Sequence, residues 1–284
     1  MKKILLLSFI LSLNFALAQN TILWTIKKDG NPHTSYLLGT YHQMGNSYVD
    51  SLTAVTRALK SSEIAIFENT DIGDGLAKYL NSRKEDFTYK EKLDKKHLAY
   101  LGDISEKWKV PVSKLSPSEL LLKIQQTYLE TQCGTVKSTD SVKTFDNYLI
   151  KMAKLNSVEL LGLESNDLMT SYINQQDRTE WKDIKKEIYL WLDNIKMSRD
   201  THIHCEIAEV YKKQKLDYHL DTECVESLII SSRSAVWLPI IEKNIIEKNS
   251  FIAVGYAHLT GKCGLISKLR TAGYKVEPVY NLDK

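Results

Sequence analysis

Two stretches near opposite ends of the chain read alike: Leu37-Leu38-Gly39-Thr40-Tyr41-His42 and Ala253-Val254-Gly255-Tyr256-Ala257-His258. In each, an apolar run of strand type meets a Gly, and a His stands three places after it. Glycine at a strand end permits a sharp turn or a close backbone approach. The His is then delivered to the carboxyl end of its strand, where open α/β sheets build their sites. Two such motifs in matching contexts predict one sheet drawn from both ends of the chain, with His42 and His258 in a shared site.

Carboxylates stand in similar positions. Ile64-Ala65-Ile66-Phe67-Glu68 closes a buried-type run with Glu68, and Leu160-Leu161-Gly162-Leu163-Glu164 repeats the arrangement. A Glu that ends an apolar strand is costly to bury unless a partner or a metal meets it. Two His with one or two carboxylates suit a divalent ion. The same groups suit general acid–base chemistry without one. Arg233 opens the helical segment that leads into the last strands, among Ser231, Ser232 and Ser234. A planar guanidinium there suits an oxyanion or a carboxylate. His202 and His204 cannot share a helix face. His33, His97 and His219 lie in polar or charged surroundings and carry no comparable pattern.

Around these motifs the chain divides into three. Residues 22–26 and 36–38 read as short strands separated by the turn Asp29-Gly30-Asn31-Pro32. A helical pattern over 52–59 and an apolar run over 64–67 follow, a strand–helix–strand order that predicts a parallel pair. Residues 71–248 are mostly of helical period, interrupted by a strand-like run at 158–163. The end is compact: strand at 251–254, helix at 261–272, strand at 274–279. The fold class expected is α/β, a split and mostly parallel sheet built from N- and C-terminal segments. A large helical insertion at about 71–248 interrupts a single domain over 19–284.

Residues 1–18 have the features of a secretory signal peptide: Lys2 and Lys3, an apolar run over 4–13, then Ala16-Leu17-Ala18. The mature chain is expected to start near Gln19 and to act in the periplasm or as a secreted protein. The apolar run is shorter than the about 20 residues a spanning helix needs, and no later stretch is long and apolar enough to span a membrane. The formal net charge is +3, and two of those positives belong to the leader. This near balance argues against nucleic acid or a charged membrane surface as a partner. Of the four cysteines, Cys205 and Cys224 flank a short polar turn between two helical patterns, so a helical hairpin would pair them. Cys133 and Cys263 are then left to pair or stay free. No Cys-x-x-Cys occurs, which speaks against a cysteine zinc cluster.

Taken in order, these residues resemble the TraB/GumN family, which includes the Wnt-cleaving TIKI metalloproteases and belongs with the erythromycin-esterase-like and ChaN-like folds. Leu23-Trp24 with the stretch 35–42 is similar to the family's first Gly-x-x-His motif, and residues 61–68 to its strand ending in Glu. Thr144-Phe145-Asp146 with Leu149 resembles its Gly-Ile-Asp segment, residues 161–164 its Leu-Glu segment, and Arg233 the Arg of its Arg-Asn pair. Residues 255–276 follow its second motif and its helix–strand tail. Thr70, Thr144 and Ser234 depart from the family's usual acid, Gly and Asn.

The resemblance implies an exported, metal-dependent hydrolase acting on a peptide or protein substrate. His42, His258 and Glu68 would hold a divalent ion (Mn, Co or Zn). Glu68 or Glu164 would move protons, and Arg233 would steady the oxyanion. It leaves two rivals: a non-catalytic protein that binds haem, metal or a peptide signal, and a metal-free esterase.

Overall fold

The structure, a computed structural model, describes residues 21–71, 75–168, 171–172, 180–197, 205–224 and 227–283. The predicted leader and the His202–His204 stretch lie outside the described residues. Six strands form one sheet: β1 (Leu23–Lys27), β2 (Ser35–Thr40), β3 (Ile64–Phe67), β4 (Glu159–Gly162), β5 (Ser250–Gly255) and β6 (Lys275–Pro278). Their order across the sheet is β4-β3-β5-β2-β1-β6. The first four in that order run parallel, while β1 is antiparallel to both β2 and β6. The chain is therefore α/β, with a mostly parallel sheet and helices inserted between its strands.

The strand positions follow from their sequences. The side chains of Phe251, Ile252, Ala253 and Val254 are all buried, and so are those of Ile64 to Phe67. Strands apolar on both faces need helices on both faces, so they take the middle of a parallel sheet. β4 and β6 carry exposed Glu159, Lys275 and Glu277 and take the two edges, where charge discourages further pairing. β2 and β3 are parallel, as the strand–helix–strand order predicts, but they are not neighbours. β5, from the far end of the chain, lies between them and pairs with both.

Helices Thr53–Ser61, Phe145–Leu155, Arg233–Glu247 and Leu265–Thr271 precede β3, β4, β5 and β6 respectively. They run back against the strands, so the amino ends of the Phe145 and Arg233 helices arrive at the carboxyl edge of the parallel strands. Further helices lie among the described residues between β3 and β5. Helix Pro117–Gln132 starts from a capping box in which Ser116 and Glu119 satisfy each other's backbone N–H, with Pro117 at the first position. It packs on helix Trp181–Met197, which also holds helix Lys95–Ser105. There His97 stacks on Tyr189 with centroids 3.7 Å apart and bonds Asp94.

The expected Cys205–Cys224 bridge is not formed. Cys133 pairs with Cys205, and Cys224 with Cys263. The hairpin that would have joined Cys205 to Cys224 is not formed, because the first helix stops at Lys212 and the described residues 213–224 carry no helix. Gln214 and His219 take left-handed backbone conformations, with φ of 55° and 46°. The segment between them turns inward, burying Leu216 and Tyr218. Beyond it the chain bonds across to Gly261 and Lys262, which brings Cys224 beside Cys263. Cys205, at the start of its helix, meets Cys133 at the end of helix Pro117–Gln132.

Candidate functional site

Four adjacent parallel strands each deliver one side chain at the same edge. In sheet order these are Glu164 after β4, Glu68 after β3, His258 after β5 and His42 after β2. The ladder between β3 and β4 continues past the strands, with Glu164 N–H donating to the Glu68 carbonyl at 3.0 Å. Thr40 lies opposite Gly255 in the parallel β2–β5 pair, so the two Gly-x-x-His turns leave the sheet side by side.

The glycines of those turns are required by contact. A Cβ on Gly39 would come within 3.1 Å of the Tyr256 backbone and of Leu259. One on Gly255 would lie 3.3 Å from Glu68 Oε1, and that oxygen accepts the Gly255 N–H at 2.7 Å. The loops carrying the glutamates are tied together as well: Asn69 donates to Asn166, and Asn166 to Asp71, each at 2.7 Å.

Arg233 lies at the centre of three of these groups. Its Nε donates to Glu164 Oε2 at 3.0 Å, and its Nη2 donates to the other Glu164 oxygen and to Glu68 Oε2 at 2.7 Å. Its Nη1 is 3.5 Å from His258 Nε2. The guanidinium rests on the Trp237 ring, 4.6 Å from its centroid. Trp237 also packs against the His258 ring at 4.4 Å. The Glu164 side chain is fully buried, and that of Glu68 is 28% exposed. A buried carboxylate is tolerated where a charged fork meets both its oxygens. Glu164 is thus spent on holding Arg233 and does not reach the surface of the site.

Burial pushes the His258 pKa down to about 4; the charge of Glu68 opposes this and that of Arg233 adds to it. The ring is therefore neutral at ordinary pH. Its tautomer follows from Ser234, whose Oγ donates to the Ile230 carbonyl at 2.8 Å and lies 2.9 Å from His258 Nδ1. With its only proton committed, that hydroxyl accepts from Nδ1–H. The lone pair of His258 is then on Nε2, facing Arg233 and Glu68.

His42 differs in exposure and in the direction of its pKa shift. Its Nδ1 is 2.9 Å from Asp146 Oδ2, while Thr40 Oγ1 donates to Asp146 Oδ1 at 2.8 Å. Asp146 sits in the first turn of helix Phe145–Leu155, where the helix end favours a carboxylate. Phe145 N–H bonds the His42 carbonyl, which fixes the helix start against the turn. The His42 side chain is 55% exposed. Burial lowers the His42 pKa; the bond to Asp146 and the charges of Asp146 and Glu68 more than restore it, and the net shift is upward. Lys123 acts weakly in the opposite sense.

The five residues singled out in the sequence thus gather at one edge. His258, Glu68, Glu164 and Arg233 form one contact network, and His42 stands next to it within electrostatic reach of Glu68. Asp146 and Ser234 enter the sequence reading only as a match to and a departure from the family's motifs, without a chemical role, and Trp237 does not enter it. Asp146 had a signal, an acid at a helix start. Nothing in the sequence marks Ser234 or Trp237 as touching His258.

By donor type His42, His258 and Glu68 suit a divalent ion, but by arrangement they do not fit one. Both Glu68 oxygens are engaged, and a guanidinium nitrogen stands before His258 Nε2. Among the described residues no three His, Cys, Asp or Glu side chains converge as a ligand set.

The TraB/PrgY/gumN family model matches residues 22–278. No curated protein and no solved structure matches the chain.

Proposed function

The chain belongs to the TraB/PrgY/gumN family, and from that premise we propose that it is an exported hydrolase of acyl bonds, with peptides as the first substrate class. The observation that carries the reading is the His42–Asp146 pair at 2.9 Å, half open to water at the carboxyl edge of the sheet. Asp146 holds Nδ1–H, so Nε2 is the basic atom. A general base works best with its pKa near the working pH, and the upward shift of His42 moves it that way.

In this reading His42 Nε2 takes a proton from water as the oxygen attacks the scissile carbonyl. Asp146 stabilises the imidazolium that forms. His42 then returns the proton to the leaving nitrogen or oxygen, so no net charge is left in the site. Arg233 supplies positive potential toward the carbonyl oxygen as it becomes negative. Glu68, part-buried, bonded to Arg233 and within electrostatic reach of His42, orients the water. Glu164 and Trp237 hold the guanidinium.

Two disulfides suit an oxidising compartment, and no helix among the described residues is long and apolar enough to cross a membrane. The disulfides support export. The peptide class comes from the family resemblance. The resemblance would give His42, His258 and Glu68 a divalent ion as Lewis acid and activator of water, but their arrangement does not fit one. As the site is arranged no step is taken through it.

The test is a panel of fluorogenic peptides and esters with wild type, His42→Ala and Asp146→Asn. Each substitution is expected to lower kcat/KM by about 10²–10⁴-fold, the usual worth of a positioned base. Full activity in His42→Ala would overturn the reading.

A further inference from the structure

We propose that Tyr211 is a positioning residue: one buried side chain that fixes both Gly-x-x-His turns and so aims His42 and His258. Its part in catalysis rests on the hydrolysis reading above; its part in the geometry does not. Tyr211 lies on helix Glu206–Lys212 and is fully buried. Its hydroxyl donates to the carbonyl of Gly39, the glycine of the first turn, at 2.6 Å. Burial pushes the Tyr211 pKa well above the ordinary tyrosine value, so the hydroxyl keeps the proton it donates. The ring packs on Tyr41 of the first turn with centroids 5.4 Å apart, and on Tyr256 of the second at 6.2 Å. It also meets Phe145 edge-on at 6.4 Å, and Phe145 precedes the Asp146 that bonds His42.

The helix that carries Tyr211 is tied at both ends to one residue. Cys205, at its start, is bridged to Cys133. Lys212, its last residue, donates from Nζ to the Cys133 carbonyl at 2.7 Å. The Tyr48 hydroxyl adds a third tie, donating to the Tyr211 carbonyl at 3.1 Å. A side chain held in this way transmits position, because packed interiors resist displacement. Misplacing a catalytic group by about 1 Å can cost about 10²-fold in rate, so a residue that touches no substrate can control the site. Tyr218 provides the contrast. It is buried as well, but its hydroxyl donates to the Thr21 carbonyl at 2.9 Å, ahead of β1 and outside both turns.

The experiment compares wild type, Tyr211→Phe and Tyr218→Phe. The ring-proton resonances of His42 and His258, assigned with His42→Ala and His258→Ala, are read at one pH. Values of kcat and KM are measured on whichever fluorogenic peptide wild type cleaves. Phenylalanine keeps the ring and removes only the hydroxyl, so ring packing is not deleted with the bond. Tyr211→Phe is expected to displace both sets of resonances and to lower kcat about tenfold with KM little changed. Tyr218→Phe is expected to lose comparable stability in urea and to leave the resonances and kcat as in wild type. Should Tyr211→Phe not fold, Tyr48→Phe, which removes only the bond to the Tyr211 carbonyl, is held to the same expectation. A folded Tyr211→Phe protein with unmoved resonances would overturn the proposal. So would an equal displacement in Tyr218→Phe. If wild type cleaves no peptide, the hydrolysis reading fails, and the resonances still decide whether Tyr211 positions the turns.

Discussion

Glu68 Oε1 accepts the backbone N–H of Gly255 at 2.7 Å, joining the end of β3 to the first glycine-turn residue of the adjacent β5. The contact aims Glu68 at the site. A Cβ on residue 255 would come within 3.3 Å of that oxygen, closer than the carboxylate can accept without turning. Gly255→Ala is therefore expected to retain the fold and lose most hydrolysis, read by circular dichroism beside the peptide assay. A Gly255→Ala enzyme with unchanged kcat would show that this contact does not aim Glu68.

Gly39 faces backbone instead of a movable side chain. Its added Cβ would meet the Tyr256 Cα and the Leu259 side chain at 3.1 Å. Crowding of that kind costs about 1–3 kcal/mol. Gly39→Ala should lower the urea midpoint accordingly, without a specific effect on the pH profile.

Asp146 is expected to set the acid limb of activity. His42 must be neutral to accept a proton, so activity should rise as pH climbs through its raised pKa. Asp146→Asn removes the charge that raises it, and the limb should move to lower pH while kcat falls. A profile that stays in place in Asp146→Asn would remove His42 from the role of base.

Glu164→Ala removes the fully buried carboxylate that meets two nitrogens of the buried Arg233 guanidinium. Breaking a buried pair from one side costs roughly 3–5 kcal/mol. Chemical denaturation of Glu164→Ala against Glu68→Ala should show the former to be the more damaging, since the Glu68 side chain is 28% exposed and that of Glu164 is not exposed at all.

Peptide mapping without reductant should find Cys133 with Cys205 and Cys224 with Cys263. The first bridge spans 72 residues and the second 39. By loop closure each is worth about 4 kcal/mol at most. Cys133→Ser/Cys205→Ser is expected to be measurably less stable than wild type in the same denaturation series.

Much of the fold was legible in local pattern. Apolar runs of four to six residues ending in Gly or Glu marked β2, β3, β4 and β5. The helix start at Arg233 stood among serines. The Cys205–Cys224 expectation failed for a physical reason. It needed a helix after residue 218, and there tertiary burial of Leu216 and Tyr218 overrode the local helical period. The left-handed residues Gln214 and His219 that allow this turn are not glycines, so no glycine announced it.

The sequence by itself determined which side chains stand at strand ends: His42, Glu68, Glu164 and His258 each follow a short apolar run, buried in β2, β3 and β5 and part-buried in the edge strand β4. It could not determine their order across the sheet. That order is set by long-range pairing, in which β5 enters between β2 and β3 because it can be buried on both faces. Only the tertiary structure decided that Glu164 serves Arg233, that Asp146 serves His42 and that Ser234 fixes the tautomer of His258. Each of those relations joins residues from different elements, and such contacts leave no periodic trace along the chain.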